Sequence, residues 1–186
     1  MKHSSDLAVI IHPARPDWST RLNVAPQALP PFWRSWLLER GSLTARLSSL
    51  APGRFSVDCQ QEGIGYPTPA EQKELGLSAN QRVWFREVLL KLDGTSVVHA
   101  RTAVPAAALT GRLARLRQLG NRSLGSFLFS QPDMRRTFVR VSRCKANTAG
   151  LEWARRSVFT LGGSSLMVTE AFSPLLTDFD QTKRTN

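Results

Sequence analysis

Two charged residues stand in apolar stretches where a β-strand would direct their side chains into the protein core. Arg86 lies in "RVWFREVLL" and shares the two-residue strand period with Trp84 and Val88. Glu170 lies in "SSLMVTEAFS" and shares the same period with Val168. A guanidinium cannot lose its charge in a protein, and an isolated buried carboxylate is costly. Each side chain therefore needs a partner of opposite charge or a bound ligand.

Three interpretations of these residues are consistent with the sequence. In the first, Arg86 and Glu170 pair as a buried salt bridge. In the second, they line a closed pocket, with a cation at one end and a hydrogen-bonding carboxyl group at the other. In the third, the strand register is shifted, so that Glu87 faces inward in place of Arg86. The choice depends on the elements that carry these residues.

Turn and cap signals predict those elements. Asp93–Gly94 separates two strand-like stretches and predicts a hairpin. Strands are also predicted in "RFSVDCQQEGIG" and in three consecutive stretches towards the C-terminus, the last two of which are joined by Gly162–Gly163. Cap and start signals predict helices that begin near Pro31, Ser42, Thr68 and Ser123. Strands and helices do not alternate regularly, so we predict an α+β domain with a single antiparallel sheet of about six strands and helices packed on it.

Charge is the strongest compositional signal. The 186 residues contain 25 Lys and Arg against 14 Asp and Glu, a formal net charge of +11. Residues 81–186 hold 17 of the basic and 7 of the acidic residues, so the excess lies in the second half. Such a surface attracts nucleic acid, a membrane surface or a small polyanion, and it can also be a solvated surface without a specific partner.

Several function classes have no support in the sequence. The three histidines, His3, His12 and His99, do not have the spacing of metal ligands, and no phosphate-binding or serine-hydrolase motif occurs. Cys59 and Cys144 are interpreted as free buried thiols. The apolar stretch "LAVII" is too short for a signal peptide, and no stretch is long enough to span a membrane. We therefore expect a cytoplasmic protein without a metal or organic cofactor.

Several motifs resemble, in order and spacing, those of the bacterial chorismate lyases. They are "WFREVLL", "ARTAVP", "LGNRSLGSFLF", "WARRSVFTL" and "LMVTEAF", and the resemblance covers residues 33–175. It implies a six-stranded antiparallel sheet and the conversion of chorismate to 4-hydroxybenzoate and pyruvate, the first step of ubiquinone biosynthesis, without a cofactor. The expected organisation is an N-terminal extension (1–30), a chorismate-lyase-like domain (31–176) and a polar tail (177–186) that we expect to fray.

The resemblance also implies roles for individual residues. Arg86 would bind the ring carboxylate, and Glu170 would bond the 4-hydroxyl group. Main-chain groups at Leu124 and Leu43 would complete the site. Ser123 stands where the family has proline, which is a departure from the pattern. Glycine-flanked segments near "SLTARL" and "LGNRSLG" would close the pocket.

Chorismate is a dianion, so a second cation is expected for its enolpyruvyl carboxylate. Arg101 in "ARTAVP" and Arg156 in "WARRSV" are the candidates from the sequence. The alternative for each is an exposed or structural arginine.

Two other functions are weighed against the lyase. The first is a small-molecule effector-sensing domain of related fold without catalysis, although the helices begin near Pro31 and leave no room for a preceding winged helix. The second is nucleic-acid binding, for which residues 112–156 offer 11 basic against 2 acidic side chains but no recognised motif. We expect a monomer that binds chorismate and 4-hydroxybenzoate, with no nucleic-acid partner and no membrane span.

Overall fold

The computed structural model describes residues 25–144 and 150–185, and within them the chain forms six strands and five α-helices. The helices are α1 (Pro31–Leu37), α2 (Leu43–Leu50), α3 (Pro69–Leu75), α4 (Leu124–Phe129) and α5 (Leu176–Thr185). The strands are β1 (Phe55–Gly65), β2 (Val83–Leu92), β3 (Thr95–Pro105), β4 (Arg135–Arg143), β5 (Trp153–Leu161) and β6 (Ser164–Phe172). Short 3-10 helices span Pro26–Ala28, Ala106–Ala108 and Gly111–Gln118.

The strands form one antiparallel sheet in the order β1-β2-β3-β6-β5-β4. The predicted α+β class and the six-stranded antiparallel sheet are therefore confirmed. The β2–β3 hairpin turns at Asp93 and Gly94, whose φ angles are 48° and 74°. Positive φ at both positions is the geometry that favours Asp-Gly in a two-residue hairpin.

Local capping explains where three of the helices begin. Thr68 and Glu71 form a reciprocal capping box at the start of α3. The Ser42 hydroxyl accepts from the backbone N–H of Ala45 in α2, and Ser123 does the same for Ser126 in α4. The helix starts predicted from these residues are confirmed.

One face of the sheet carries the main hydrophobic core beneath α1 and α2. Trp36 and Leu47 are fully buried there and belong to the same cluster as Leu90 of β2 and Phe172 of β6. A second cluster lies under the 3-10 segment, where fully buried Leu116 packs with residues of β2, β3, β5 and β6. Between these two clusters the same face carries polar and charged side chains.

The opposite face of the sheet carries a network of charged residues covered by α3. Glu87 of β2 lies opposite Arg101 of β3, and the Arg101 Nη1 is 2.6 Å from the Glu87 Oε1. The Arg101 Nε is also 2.7 Å from the Oε1 of Glu71 in α3. Arg156 of β5 lies in the same cross-strand row, with its Nη1 3.9 Å from Glu74 of α3. These ion pairs dock α3 on the sheet.

The ends of the chain differ from the expected organisation in one respect. The stretch predicted as a fraying polar tail forms α5, and Phe179 packs against the main core. The Phe179 side chain faces the core and holds this otherwise polar helix against it. Of the predicted extension, residues 1–24 lie outside the described part of the chain. No helix among the described residues is both long and apolar enough to cross a membrane.

Replacing Arg101 by glutamine should destabilise the fold strongly. The change leaves the Glu71 and Glu87 carboxylates without their shared cation, and these residues are only 1% and 7% exposed. Breaking a buried ion pair in this way costs about 3–5 kcal/mol in free energy of unfolding. Denaturant unfolding of Arg101→Gln against wild type measures this loss.

Arg54→Gln is the matched control, because the Arg54 side chain is 58% exposed where it pairs with Asp93. An exposed pair contributes at most about 1 kcal/mol. Equal losses in the two variants would contradict the docking role of Arg101.

Candidate active site

A cavity lies between the sheet and helices α2 and α4. Its apolar lining includes Leu43 and Leu124, which the resemblance implies as site residues. Its ionisable lining residues are Arg86, Arg136, Arg155 and Glu170.

Arg86 is 2% exposed and lies on β2 with its guanidinium at the cavity. Its Nη2 donates to the backbone oxygens of Gly120, at 2.5 Å, and Arg122, at 3.0 Å. Its Nε has no hydrogen-bond partner among the described residues, and the nearest carboxylate oxygen, on Glu62, is 3.8 Å away. Burial lowers the pKa of Arg86 from its ordinary value. The guanidinium thus holds the loop before α4 and still has donor capacity for an anion.

Glu170 of β6 pairs with Arg155 of β5, its cross-strand neighbour, at 2.5 Å between Oε2 and Nε. The Arg155 side chain is 2% exposed. Its Nη1 donates to the backbone oxygens of Trp36, at 2.8 Å, and Glu39, at 3.3 Å. The interpretation of a salt bridge between Arg86 and Glu170 is therefore wrong, because Arg155 occupies that role.

The sheet register explains why Arg86 and Glu170 share a cavity without touching. Arg86 lies opposite Thr102 of β3, which lies opposite Val168 of β6. Glu170 is two residues beyond Val168, so it is on the same face but displaced both across and along the sheet. The cavity thus has a cation on one side and a carboxylate on another, as in the pocket interpretation.

Arg136 of β4 is a second cation near Glu170, and its side chain is half-buried. Its Nε and Nη2 donate to the Ser157 hydroxyl, at 2.9 and 2.6 Å, and its Nη1 donates to the Glu39 backbone oxygen at 2.6 Å. Burial lowers the pKa of Arg136 to about 10, and the positive charge of Arg155 acts in the same direction. The guanidinium remains charged at neutral pH.

Arg101 and Arg156 are not among the lining residues of the cavity. Both point from the opposite face of the sheet and pair with acidic residues there, so the structure corrects their placement as substrate-binding candidates.

Arg155 and Arg136 line the cavity but are not predicted from the sequence. In β5, residues on both faces are buried, so the neighbours Arg155 and Arg156 look alike in the sequence. The register of the β5–β6 hairpin is the signal that separates them, because it puts Arg155 opposite Glu170.

Helices α2 and α4 close the cavity and contact each other through small polar groups. The hydroxyl oxygens of Thr44 and Ser123 are 2.5 Å apart. A Cβ atom on Gly125 would lie 2.8 Å from the Thr44 Oγ1 and 3.2 Å from the Ser42 hydroxyl, so only glycine allows this approach. Ser123, which departs from the expected proline, thus contributes a hydrogen bond between the two helices.

The charges around the cavity do not cancel. Three arginines and one glutamate line it, so the lining carries a net charge of +2, and Glu62, whose carboxylate is 3.8 Å from the Arg86 Nε, lies outside the lining. In a partly dehydrated site such an excess favours an anionic ligand, and a dianion matches it in charge.

Comparison with known proteins agrees with this geometry. The sequence pattern of the family described as "Chorismate lyase" matches residues 15–182. A "Probable chorismate pyruvate-lyase" of Marinobacter nauticus is 43% identical, with 77% of each chain covered. Proteins of the same printed name from Chromohalobacter salexigens and Dechloromonas aromatica are 41% and 40% identical, with 84% and 88% of this chain and 90% and 97% of theirs covered.

Solved structures show the likeness of the fold. The effector domain of PhnF from Mycobacterium smegmatis superposes with a TM-score of 0.52 at 17% identity, covering 72% of this chain and 89% of that one. A structure of PhnF from the same organism gives a TM-score of 0.53 at 18% identity, covering 74% and 65%. At this identity the comparison concerns the fold alone.

Replacing Gly125 by alanine should push α4 away from α2. The new methyl group would overlap the Thr44 hydroxyl, and overpacking of this kind costs about 1–3 kcal/mol in free energy of unfolding. Thr44→Ala removes the clashing oxygen, so the double variant Thr44→Ala/Gly125→Ala should recover part of that loss. Denaturant unfolding of the single and double variants gives the coupling energy. Strict additivity of the two changes would show that the helices do not approach through these groups.

Proposed function

Since the chain belongs to the chorismate lyase family, we propose that it converts chorismate to 4-hydroxybenzoate and pyruvate. The observation that carries this proposal is the cavity lined by three arginines and one glutamate, in which Arg86 retains a buried Nε–H without a hydrogen-bond partner among the described residues. A planar guanidinium suits a planar carboxylate, and the ring carboxylate of chorismate would supply the missing acceptor.

The reaction is an elimination that makes the ring aromatic. The bond between C3 and the ether oxygen breaks, and the enolpyruvyl group leaves with the bonding electrons. The C4 hydrogen is lost as a proton, and its electron pair becomes the C3–C4 double bond. The released enolpyruvate takes up a proton and becomes pyruvate. The protein has to orient the substrate and stabilise the charge that develops on the leaving oxygen.

In this proposal Glu170 meets the C4 region when Arg86 holds the ring carboxylate, because C4 is para to that group. Arg155 fixes the orientation of the Glu170 carboxylate and offsets its charge. The oriented carboxylate would hydrogen-bond the 4-hydroxyl group, and in this proposal it also accepts the C4 proton. A route in which the leaving group itself removes the proton would need Glu170 for positioning alone.

The lid formed by α2 and α4 belongs to the same proposal. The side chains of Leu43 and Leu124 line the cavity from these helices, and their backbone groups would complete the contacts to the ring. Excluding water there strengthens the interaction between Arg86 and a carboxylate. A product of this reaction, 4-hydroxybenzoate, feeds ubiquinone biosynthesis, so the proposed place of the enzyme is the first committed step of that pathway.

Incubation of the purified protein with chorismate tests the proposal directly. We expect equal amounts of 4-hydroxybenzoate, followed by its ultraviolet spectrum, and of pyruvate, followed by a coupled assay. Activity should persist after treatment with a chelator, because the proposed chemistry uses only residues of the chain. Formation of another hydroxybenzoate, or loss of activity that an added metal ion restores, would contradict the proposal.

Glu170→Gln should lower kcat more than it raises KM. The amide keeps the shape and the hydrogen bond to the 4-hydroxyl group but cannot accept a proton, and loss of a general base costs roughly a factor of 10²–10⁴. Steady-state kinetics with chorismate measures both constants. Thermal unfolding serves as a control for folding, because the change removes the charge that pairs with Arg155. If kcat stays near the wild-type value, Glu170 acts by positioning alone.

A further inference from the structure

Arg136 makes no direct ion pair among the described residues, and Glu170 and Glu39 act on its charge only from a greater distance. Among the described residues, no Asp or Glu oxygen lies within 4 Å of its guanidinium, whereas Arg155 is paired with Glu170 at 2.5 Å. Its hydrogen bonds go instead to the Ser157 hydroxyl and the Glu39 backbone oxygen, which are uncharged groups. A half-buried cation in this state is stabilised by any anion that enters the cavity.

The position of Arg136 agrees with one particular part of the substrate. Arg136 and Arg155 donate to the same Glu39 backbone oxygen, so both guanidinium groups lie at the end of the cavity that holds Glu170. Under the proposed function, Glu170 meets C4 of the ring. The enolpyruvyl ether is attached to C3, the neighbouring carbon, and therefore extends into the same end.

We propose that Arg136 binds the enolpyruvyl carboxylate of chorismate, an inference that rests on the proposed function and names the second cation that the substrate requires. Arg86 then takes the ring carboxylate and Arg136 the side-chain carboxylate. The charge of +2 around the cavity is matched by the two carboxylates of the dianion.

Hydrogen bonds fix the orientation of the Arg136 guanidinium before a ligand binds. Arginine has five N–H donors, and three of them are used in the bonds to Ser157 and Glu39. This leaves one N–H on each terminal nitrogen, and the spacing of these two nitrogens matches the two oxygens of a carboxylate. The Phe159 ring, 5.4 Å from the Arg136 Cζ, further restricts the side chain. Little conformational freedom is lost when substrate binds.

This assignment separates the substrate from the ring product. Chorismate carries both carboxylates, whereas 4-hydroxybenzoate retains only the ring carboxylate. Arg136 should therefore contribute to chorismate binding and to stabilising the departing enolpyruvate, but not to the affinity for 4-hydroxybenzoate. Arg86 should contribute to both, because its carboxylate is present before and after the reaction.

The experiment measures KM and kcat for chorismate, together with the dissociation constant of 4-hydroxybenzoate by calorimetry, for Arg136→Gln and Arg86→Ala. We expect Arg136→Gln to raise KM by about 10- to 100-fold, the size of a lost charged hydrogen bond, and also to lower kcat. Its dissociation constant for 4-hydroxybenzoate should stay within about twofold of wild type, a change too small for a lost hydrogen bond. Arg86→Ala should weaken both ligands.

Arg140→Gln is the matched control, since Arg140 lies on the same strand and pairs with Glu74 on the opposite face of the sheet. Its kinetics should equal those of wild type. Arg136→Lys keeps a charge without the fork and should recover part of the lost chorismate affinity. If Arg136→Gln does not fold, Ser157→Ala replaces it, because it frees the guanidinium without removing the charge and should raise KM for chorismate alone.

Two results would overturn the assignment. One is an unchanged KM for chorismate in Arg136→Gln or, if that variant does not fold, in Ser157→Ala. The other is an equal loss of affinity for chorismate and 4-hydroxybenzoate. Failure of the proposed function is a different result, because wild-type protein would then release no pyruvate from chorismate.

Discussion

The ion pair between Arg155 and Glu170 connects the sheet, the first helix and the cavity. Its two members are cross-strand neighbours, and Arg155 also donates to backbone oxygens at the C-terminal end of α1. Carbonyl groups in the last turn of a helix have no partner within the helix, so a buried guanidinium satisfies them and interacts favourably with the helix dipole. A buried ion pair contributes little net stability. Its effect here is on position, because it fixes one carboxylate in the cavity and the end of α1 above it.

The second constraint is the separation of charges onto two faces of one sheet. The cavity face carries Arg86, Arg155 and Glu170, and the row between them on the other face carries Glu87, Arg101 and Arg156. On the α3 side, acidic residues of the helix offset the arginines. On the cavity side, the arginines outnumber the carboxylates. The same antiparallel register thus gives one face a structural network and the other an excess of positive charge at the cavity.

Arg86 connects the cavity with helix α4. Its Nη2 holds the loop that leads into α4. A ligand carboxylate on the remaining donors would share one guanidinium with that loop, and its binding would then be coupled to the position of α4 through a single side chain. The contact between Thr44 and Ser123 then joins α4 to α2 above the cavity.

The sequence by itself determined the fold class, the order of the strands along the chain, the helix caps and two of the charged residues that line the cavity, Arg86 and Glu170. These features depend on local signals, namely the two-residue period around Arg86 and Glu170, the Asp93–Gly94 turn and the serine and threonine caps. Which arginines join them was decided by the tertiary structure. Arg155 and Arg156 are adjacent in a strand that is buried on both faces, so the strand period alone does not separate them, and the pairing with β6 puts Arg155 opposite Glu170. Arg136 reaches the cavity because β4 lies beside β5 and because its side chain contacts Glu39 after α1, a residue 97 positions away in the sequence. Local periodicity does not encode such distant neighbours.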